Sequence, residues 1–256
     1  MIELNKIYCE SNIQTTQRIT NDFIDLVITS PPYDNLRNYN GYDFEFELLA
    51  KELFRIVKLG GIVVWIVADA TINGSETGTS FKQALYFMKI GFNLHDTMIW
   101  YKRTIPINGK RYDNAFEYMF VLSKGKPKTF NPIKVHRLFI DNRKIKEGQR
   151  AKSGERSFRK NNSSEFVNDI NVWDIPTGLE KDNGHPAIFP LKLAQDHIFT
   201  WSNENDIVYD PFIGSGTTAI ASLELKRNWI GSEISEEYYD IANKRLQPYL
   251  AQQKLF

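Results

Sequence analysis

Ser30-Pro31-Pro32-Tyr33 closes a strand-like apolar run, Phe23–Thr29. Two consecutive prolines offer no backbone donors and cannot continue a sheet ladder. The Pro31 carbonyl becomes a rigid acceptor, because Pro31 has a fixed φ and the next residue is also proline. Ser30 adds a hydroxyl acceptor, and Tyr33 adds a flat ring. Two acceptors beside a stacking ring suit an exocyclic amino group on a planar heterocycle. Accepting both N–H bonds would draw the amino nitrogen out of conjugation and aim its lone pair at a methyl donor. Transfer from a sulfonium would then be direct and in line, driven by positioning and electrostatics. A base stacked in a duplex cannot enter such a site and must be flipped out, at a cost of a few kcal/mol. The plainer reading of the same residues is a Pro-Pro turn with an incidental tyrosine.

A second constellation is "DIVYDPFIGSGTTA", Asp206–Ala219. A strand runs into Asp210-Pro211-Phe212, a glycine turn follows at Gly214-Ser215-Gly216, and a helix begins near Thr217. Gly214-x-Gly216-x-x-Ala219 fits the nucleoside-cofactor pattern, in which glycines let the backbone approach a ligand closely. Glu233, at the end of the next strand, stands 17 residues after Gly216, near the roughly 20-residue spacing of a ribose-binding acid. A tight strand-to-helix turn with a capping threonine is the bland alternative. NAD and S-adenosylmethionine (SAM) both fit this turn. A P-loop does not, because the turn has no lysine to meet phosphates. Only the amino-accepting residues separate the two cofactors, and they favour SAM.

These residues need a frame to hold them. Phe23–Thr29 reads as a buried strand, and Phe44–Lys58 as an amphipathic helix stopped by Gly60-Gly61. Ile62–Ala68 is apolar throughout, as in a strand covered on both faces. Asn73–Ser80 reads as a polar loop and Ser80–Phe92 as a helix. "HDTMIWYK" and "FEYMFVLSK" are two further strands with hairpin potential. After a long basic stretch, helix, strand, helix, strand and helix alternate to the end. Alternation of this kind means an α/β fold with a largely parallel sheet and helices on both faces.

The net charge of +1 conceals a segregation. Between Tyr101 and Lys160 there are 17 Lys and Arg against 5 Asp and Glu; the other residues hold 15 and 26. A basic segment of this kind suits a polyanion, or is a solvated loop. The single cysteine, Cys9, excludes an internal disulfide and a cysteine-rich zinc site. His95, His136, His185 and His197 show no metal-ligand spacing, so no metal is expected. The amino terminus has no signal-peptide pattern and no run is long enough to span a membrane, which predicts a cytoplasmic protein.

"TSPPY" and "DPFIGSGTT" together resemble the amino-directed DNA methyltransferases, which methylate cytosine N4 or adenine N6. The catalytic motif precedes the SAM motif with the basic segment between them, which resembles the β-type order of that family. The resemblance spans most of the chain outside residues 124–172. It implies a Rossmann-like methyltransferase sheet with circularly ordered motifs. It makes Ser30 and the Pro31 carbonyl the amino-group acceptors within the tetrapeptide Ser30, Pro31, Pro32 and Tyr33, with Tyr33 as the stacking ring. Asp210, Pro211, Phe212, Gly214, Ser215, Gly216 and Thr217 would form the SAM loop, and Glu233 would hold the ribose. The segment from His185 onward resembles the methionine side of the SAM site. Relatives often carry Gly-Asp after the first strand, whereas this chain reads "IYCESN". Serine in the first motif position is more typical of cytosine N4 enzymes, and aspartate of adenine N6 enzymes. Cytosine C5 chemistry would need a cysteine nucleophile, and Cys9 sits on the far amino-terminal strand.

The resulting expectation is a SAM-dependent DNA methyltransferase acting on a short duplex site, with cytosine N4 favoured over adenine N6. Residues 1–123 would be the catalytic part, 124–174 a basic target-recognition insertion and 175–256 the SAM-binding part. A restriction endonuclease and a second copy of the chain are candidate partners. An NAD-binding oxidoreductase and a catalytically silent DNA-binding module are the remote alternatives. Asn35, Arg37 and Tyr39 could line the base pocket or form the polar face of a loop. Asp69 lies at a strand end near the expected crevice.

Overall fold

Apolar, β-branched runs alternate with helical patterns along this chain, and the strands assemble as that alternation requires. The computed structural model describes residues 2–32, 45–103, 111–136, 149–150, 156–157, 165–177 and 190–253. In chain order the main elements are β1 (Lys6–Cys9), α1 (Asn12–Arg18), β2 (Ile24–Thr29), α2 (Phe46–Ile56), β3 (Val57–Val67) and α3 (Thr79–Lys89). They continue with β4 (Asn93–Tyr101), β5 (Phe116–Ser123), β6 (Val172–Asp174), α4 (Leu191–Trp201), β7 (Ile207–Asp210), α5 (Thr217–Glu224), β8 (Asn228–Glu233) and α6 (Glu236–Gln253). Eight strands form one sheet in the order β1-β8-β7-β2-β3-β5-β4-β6. All neighbours pair in parallel except at β5, which runs antiparallel to both β3 and β4. The expected pairing of "HDTMIWYK" with "FEYMFVLSK" is therefore present, and the sheet is largely parallel.

Helices cover both faces. On one side, Leu49 and Leu53 of α2 and Phe87 of α3 pack in one buried cluster with Val27, Val63, Trp65, Phe120 and Leu122 of the sheet. Trp65 is fully buried, and its indole N–H donates to Gln83 Oε1 of α3 at 2.8 Å. On the other side lie α4, α5 and α6, with Leu193, Ile198, Ala219, Ile220, Ala242 and Leu246 all buried. Helix α1 starts with a reciprocal cap, Ser11 Oγ accepting from Gln14 N and Gln14 Oε1 accepting from Ser11 N.

Two expectations are corrected. Gly60-Gly61 does not stop α2: the helix ends at Ile56, and both glycines lie inside β3. Gly60 has φ +85, a left-handed conformation that glycine adopts without penalty. Its N–H donates to Lys124 O at 2.7 Å, so the strand bends and stays bonded. The segment after β3 is also not plain loop. Thr71–Ile72 pairs antiparallel with Ser75–Glu76 around a tight turn at Asn73 and Gly74, both at positive φ.

Residues Pro132–Ile170 form a second compact unit, inside the segment expected as the insertion. There Lys134–His136 pairs antiparallel with Phe166–Asn168, and the His136 and Phe166 rings lie 4.4 Å apart. Gln149–Arg150 pairs with Arg156–Ser157.

Candidate active site at the carboxyl edge of the sheet

In an open parallel sheet, the loops after the carboxyl ends of the strands form the ligand crevice. Here β1 ends at Cys9, β8 at Glu233, β7 at Asp210, β2 at Thr29 and β3 at Val67, all on one edge. The two constellations singled out in the sequence therefore meet. β7 and β2 are hydrogen-bonded neighbours, with Val208 opposite Leu26 and Tyr209 opposite Val27.

Asp210 joins them. Its Oδ1 accepts from Thr29 Oγ1 at 2.7 Å and from Phe212 N at 3.0 Å, while Oδ2 accepts from Thr218 Oγ1 at 2.6 Å. Asp210 is 1% exposed. Burial pushes its carboxyl up to about 6, against the opposing pull of the Thr218 and Thr29 hydroxyls and the Phe212 N–H. Because the folded value is raised, the proton favours the folded state. The associated stability is full below the ordinary carboxylate range and is lost as pH rises to about 6. Asp210→Asn has no such titration. Its melting temperature is expected to gain on the wild type between pH ~4 and ~6, and then run parallel to it.

The glycine turn follows directly. Gly214 and Gly216 both have positive φ, +50 and +84, and Gly216 caps α5. A Cβ on Gly216 would stand 3.3 Å from Ala242 Cβ of α6, so the turn is pressed against that helix. Pro211 and Ser215 are buried, Phe212 is half-buried against the core, and Thr217 opens α5 with 3% exposure. Glu233 reaches back to the same turn: Oε2 accepts from Gly214 N at 3.0 Å and Oε1 from Ser235 N at 2.9 Å. Burial raises its pKa above the usual carboxylate value, and the backbone donors pull it back. A carboxylate has about four lone-pair sites, so two such bonds leave acceptor capacity at the sheet edge. This acceptor fits a cofactor with ribose hydroxyls, which would donate to it.

Ser30 is half-buried one residue beyond β2, Pro31 is buried and Pro32 half-buried. Tyr33 lies outside the described residues, as do Asn35, Arg37, Tyr39 and the start of the His185 segment. Asp69 is occupied structurally: it accepts from Ser80 N at 2.9 Å, Ser80 Oγ at 2.5 Å and Thr77 Oγ1 at 3.3 Å, fixing the start of α3. After "IYC", Glu10 and Ser11 are used locally. Glu10 accepts from Thr15 Oγ1 at 2.7 Å, and Ser11 caps α1. Among the described residues, no group of three or more His, Cys, Asp and Glu is placed to hold a metal ion, and no helix is long and apolar enough to cross a membrane.

One contributor escaped the sequence reading. Arg245 of α6 donates from Nη1 to Ser215 O at 2.6 Å, Ser215 Oγ at 2.7 Å and Thr217 Oγ1 at 3.3 Å. A basic residue in "NKRLQ" looks like part of a solvated helix face, and nothing local marks it as a clamp on the glycine turn.

The comparisons with known proteins converge. The DNA methylase family N6_N4_Mtase matches residues 24–244. The orphan methyltransferase M.BamHII of Bacillus amyloliquefaciens is 54% identical, over 89% of this chain and 90% of its own length. The type II methyltransferase M.BglII of Bacillus subtilis is 26% identical, over 93% of this chain and 68% of its own length. Among solved structures, the DNA modification methylase TTHA0409 of Thermus thermophilus, complexed with S-adenosyl-L-methionine, superposes with a TM-score of 0.66 at 25% identity, covering 95% of this chain and 93% of that one. The cytosine-N4-specific PvuII DNA methyltransferase reaches a TM-score of 0.70 over 94% of this chain and 85% of its own, at 21% identity, a likeness of fold. With the family model matching most of the chain and a relative 54% identical over nine-tenths of it, the chain belongs to the SAM-dependent N6/N4 DNA methylases.

Proposed function

We propose that this protein transfers a methyl group from SAM to N4 of a cytosine flipped out of duplex DNA. The observation that carries this reading is the 2.7 Å hydrogen bond between Thr29 and Asp210. It ties the residue before Ser30 to the end of β7, the strand that runs into the glycine turn, so an amino group held at one lies beside a cofactor held at the other.

Bound SAM supplies an electrophilic methyl on a sulfonium. Asp210, Pro211, Phe212, Gly214, Ser215, Gly216 and Thr217 shape its binding turn, and Glu233 accepts from the ribose hydroxyls. Ser30 Oγ and the Pro31 carbonyl accept the two amino N–H bonds. That pyramidalises the nitrogen and directs its lone pair toward the cofactor side. Tyr33 stacks on the base in place of its lost neighbours. The buried wall below Ser30 (Ile28, Val64 and Ile66, all at most 1% exposed) keeps water from the acceptor pair and strengthens both contacts. The segment 124–174 supplies phosphate contacts and base readout. Ser30 in the first motif position is what favours cytosine over adenine. The orphan character of M.BamHII supports a chain that acts without a dedicated nuclease.

Arg245 positions the turn. Arg245→Ala is expected to weaken SAM binding about tenfold, with Arg245→Lys intermediate, since one charge-assisted contact is worth ~1.5–3 kcal/mol. Titration calorimetry with SAM checks this; equal affinities in all three proteins would remove Arg245 from the site. The function itself is tested by single-molecule sequencing of plasmid DNA from a methylation-deficient host expressing the protein. N4-methylcytosine in one short sequence is expected. Unmodified DNA would overturn the activity, and N6-methyladenine would overturn the base.

A further inference from the structure

A part-buried ion pair stands at the carboxyl edge of the sheet, outside both constellations. Lys102 Nζ donates to Glu117 Oε1 at 3.0 Å, and the two side chains are only 18% and 6% exposed. Lys102 follows the end of β4, and Glu117 is the second residue of β5. Because β5 is antiparallel, its start lies at the same edge as the end of β2. The Lys102 N–H bond to Ala115 O at 2.8 Å extends the β4–β5 ladder to that edge.

Glu117 also lies on the face of the sheet taken by Ile28, two residues before Ser30. Strand neighbours run Ile28 to Val64, Val64 to Val121 and Ile66 to Met119, with Glu117 opposite Trp100. Side chains alternate with a two-residue period. Ile28, Ile66, Met119 and Glu117 therefore fall on one face, the face of α4, where Met119 Sδ meets His197 Nε2 at 3.2 Å. Ser30 is the next step of that alternation after Ile28, and Lys102 the next after Trp100. β5 is two strands from β2, about 10 Å away, a span that a base held at Ser30 by its amino end and a lysine stem can cover together.

As a stabilising device the pair has little rationale, because desolvating two charges offsets most of their attraction. As a recognition device it has one. An ammonium carries three donors, and the contact with Glu117 uses one. Once Ser30 and Pro31 take the amino N–H bonds, a cytosine still presents two acceptors, N3 and O2. Adenine presents N1, with a C–H where cytosine has O2. We propose that Lys102, oriented by Glu117, donates to this acceptor edge and helps select cytosine at the flipped position. The proposal deepens the cytosine reading and rests on it.

The test is equilibrium binding of the full chain, with S-adenosylhomocysteine present, to two duplexes carrying the protein's own methylated sequence. One has cytosine at the target position and the other an abasic site. Lys102→Met is expected to lose about tenfold in affinity for the cytosine duplex and nothing for the abasic one. Lys102→Arg should recover most of the loss. Since Lys102→Met orphans a buried carboxylate, the double variant Lys102→Met, Glu117→Leu removes both charges and should show the same selective loss in a folded protein. Equal losses on both duplexes would make Lys102 a phosphate contact or a structural tie, and no loss would remove it from the site; either overturns the proposal. The base modified by the wild type is read separately by nucleoside analysis, so a failure of the cytosine reading is seen independently of Lys102.

Discussion

Ser30→Ala is expected to lower methyl transfer by roughly 10²–10³-fold, the scale of removing one preorganised polar contact from a reacting centre. Cofactor affinity should change little. Ser30 lies one residue beyond β2, and the glycine turn is held by contacts that do not include it: Asp210 to Phe212 N, Glu233 to Gly214 N, and Arg245 to Ser215. A large fall in turnover with unchanged SAM binding is what a group acting on the transferred methyl's acceptor should give. Tyr33→Ala is expected to act alike through the lost stacking face, worth about 1–3 kcal/mol per base. Single-turnover kinetics with labelled SAM, run beside SAM titrations, separates the two quantities. Wild-type turnover in Ser30→Ala would remove the acceptor role.

The second large effect is expected at Asp210. Asp210→Ala leaves Thr29 Oγ1, Thr218 Oγ1 and the Phe212 N–H without their acceptor. An orphaned buried donor costs about 1–3 kcal/mol, and hydroxyls can turn to other acceptors, so a loss of about 2–4 kcal/mol is expected. In a chain of this size that lowers the melting temperature by roughly 5–15 °C. The variant should also lose SAM affinity, because the strand end and the turn come apart together. Asp210→Asn retains one acceptor and should lie between the two. Thermal unfolding and SAM titration of both variants measure this. A stable Asp210→Ala that binds SAM normally would show that the tie between β2 and the turn is dispensable.

The candidate site was legible in the sequence where it is local. Ser-Pro-Pro-Tyr and Gly-Ser-Gly carry their backbone constraints in consecutive residues, and Glu233 stands at a strand end that periodicity identifies. What joins them is not local. Thr29 and Asp210 are 181 residues apart, and their hydrogen bond exists only because β7 inserts beside β2. Lys102 and Glu117 are 15 residues apart, and the antiparallel insertion of β5 brings them to one edge. The misplaced helix stop has a similar origin. Gly60-Gly61 is a strong local terminator, but pairing of Val57 with Ile24 and the bond from Gly60 N to Lys124 O hold the segment in the sheet. The cap of α1, by contrast, is local: Ser11-x-x-Gln14 opens a helix of 7 residues.

Methyl transfer to an exocyclic amino group of DNA is read at the level of single nucleosides. Unmethylated DNA is incubated with the purified protein and isotopically labelled SAM, digested to nucleosides and analysed by mass spectrometry. Labelled N4-methyldeoxycytidine, absent when Ser30→Ala replaces the wild type, is the predicted result. Label on cytosine C5, or no labelled nucleoside from a protein that binds SAM, would contradict it.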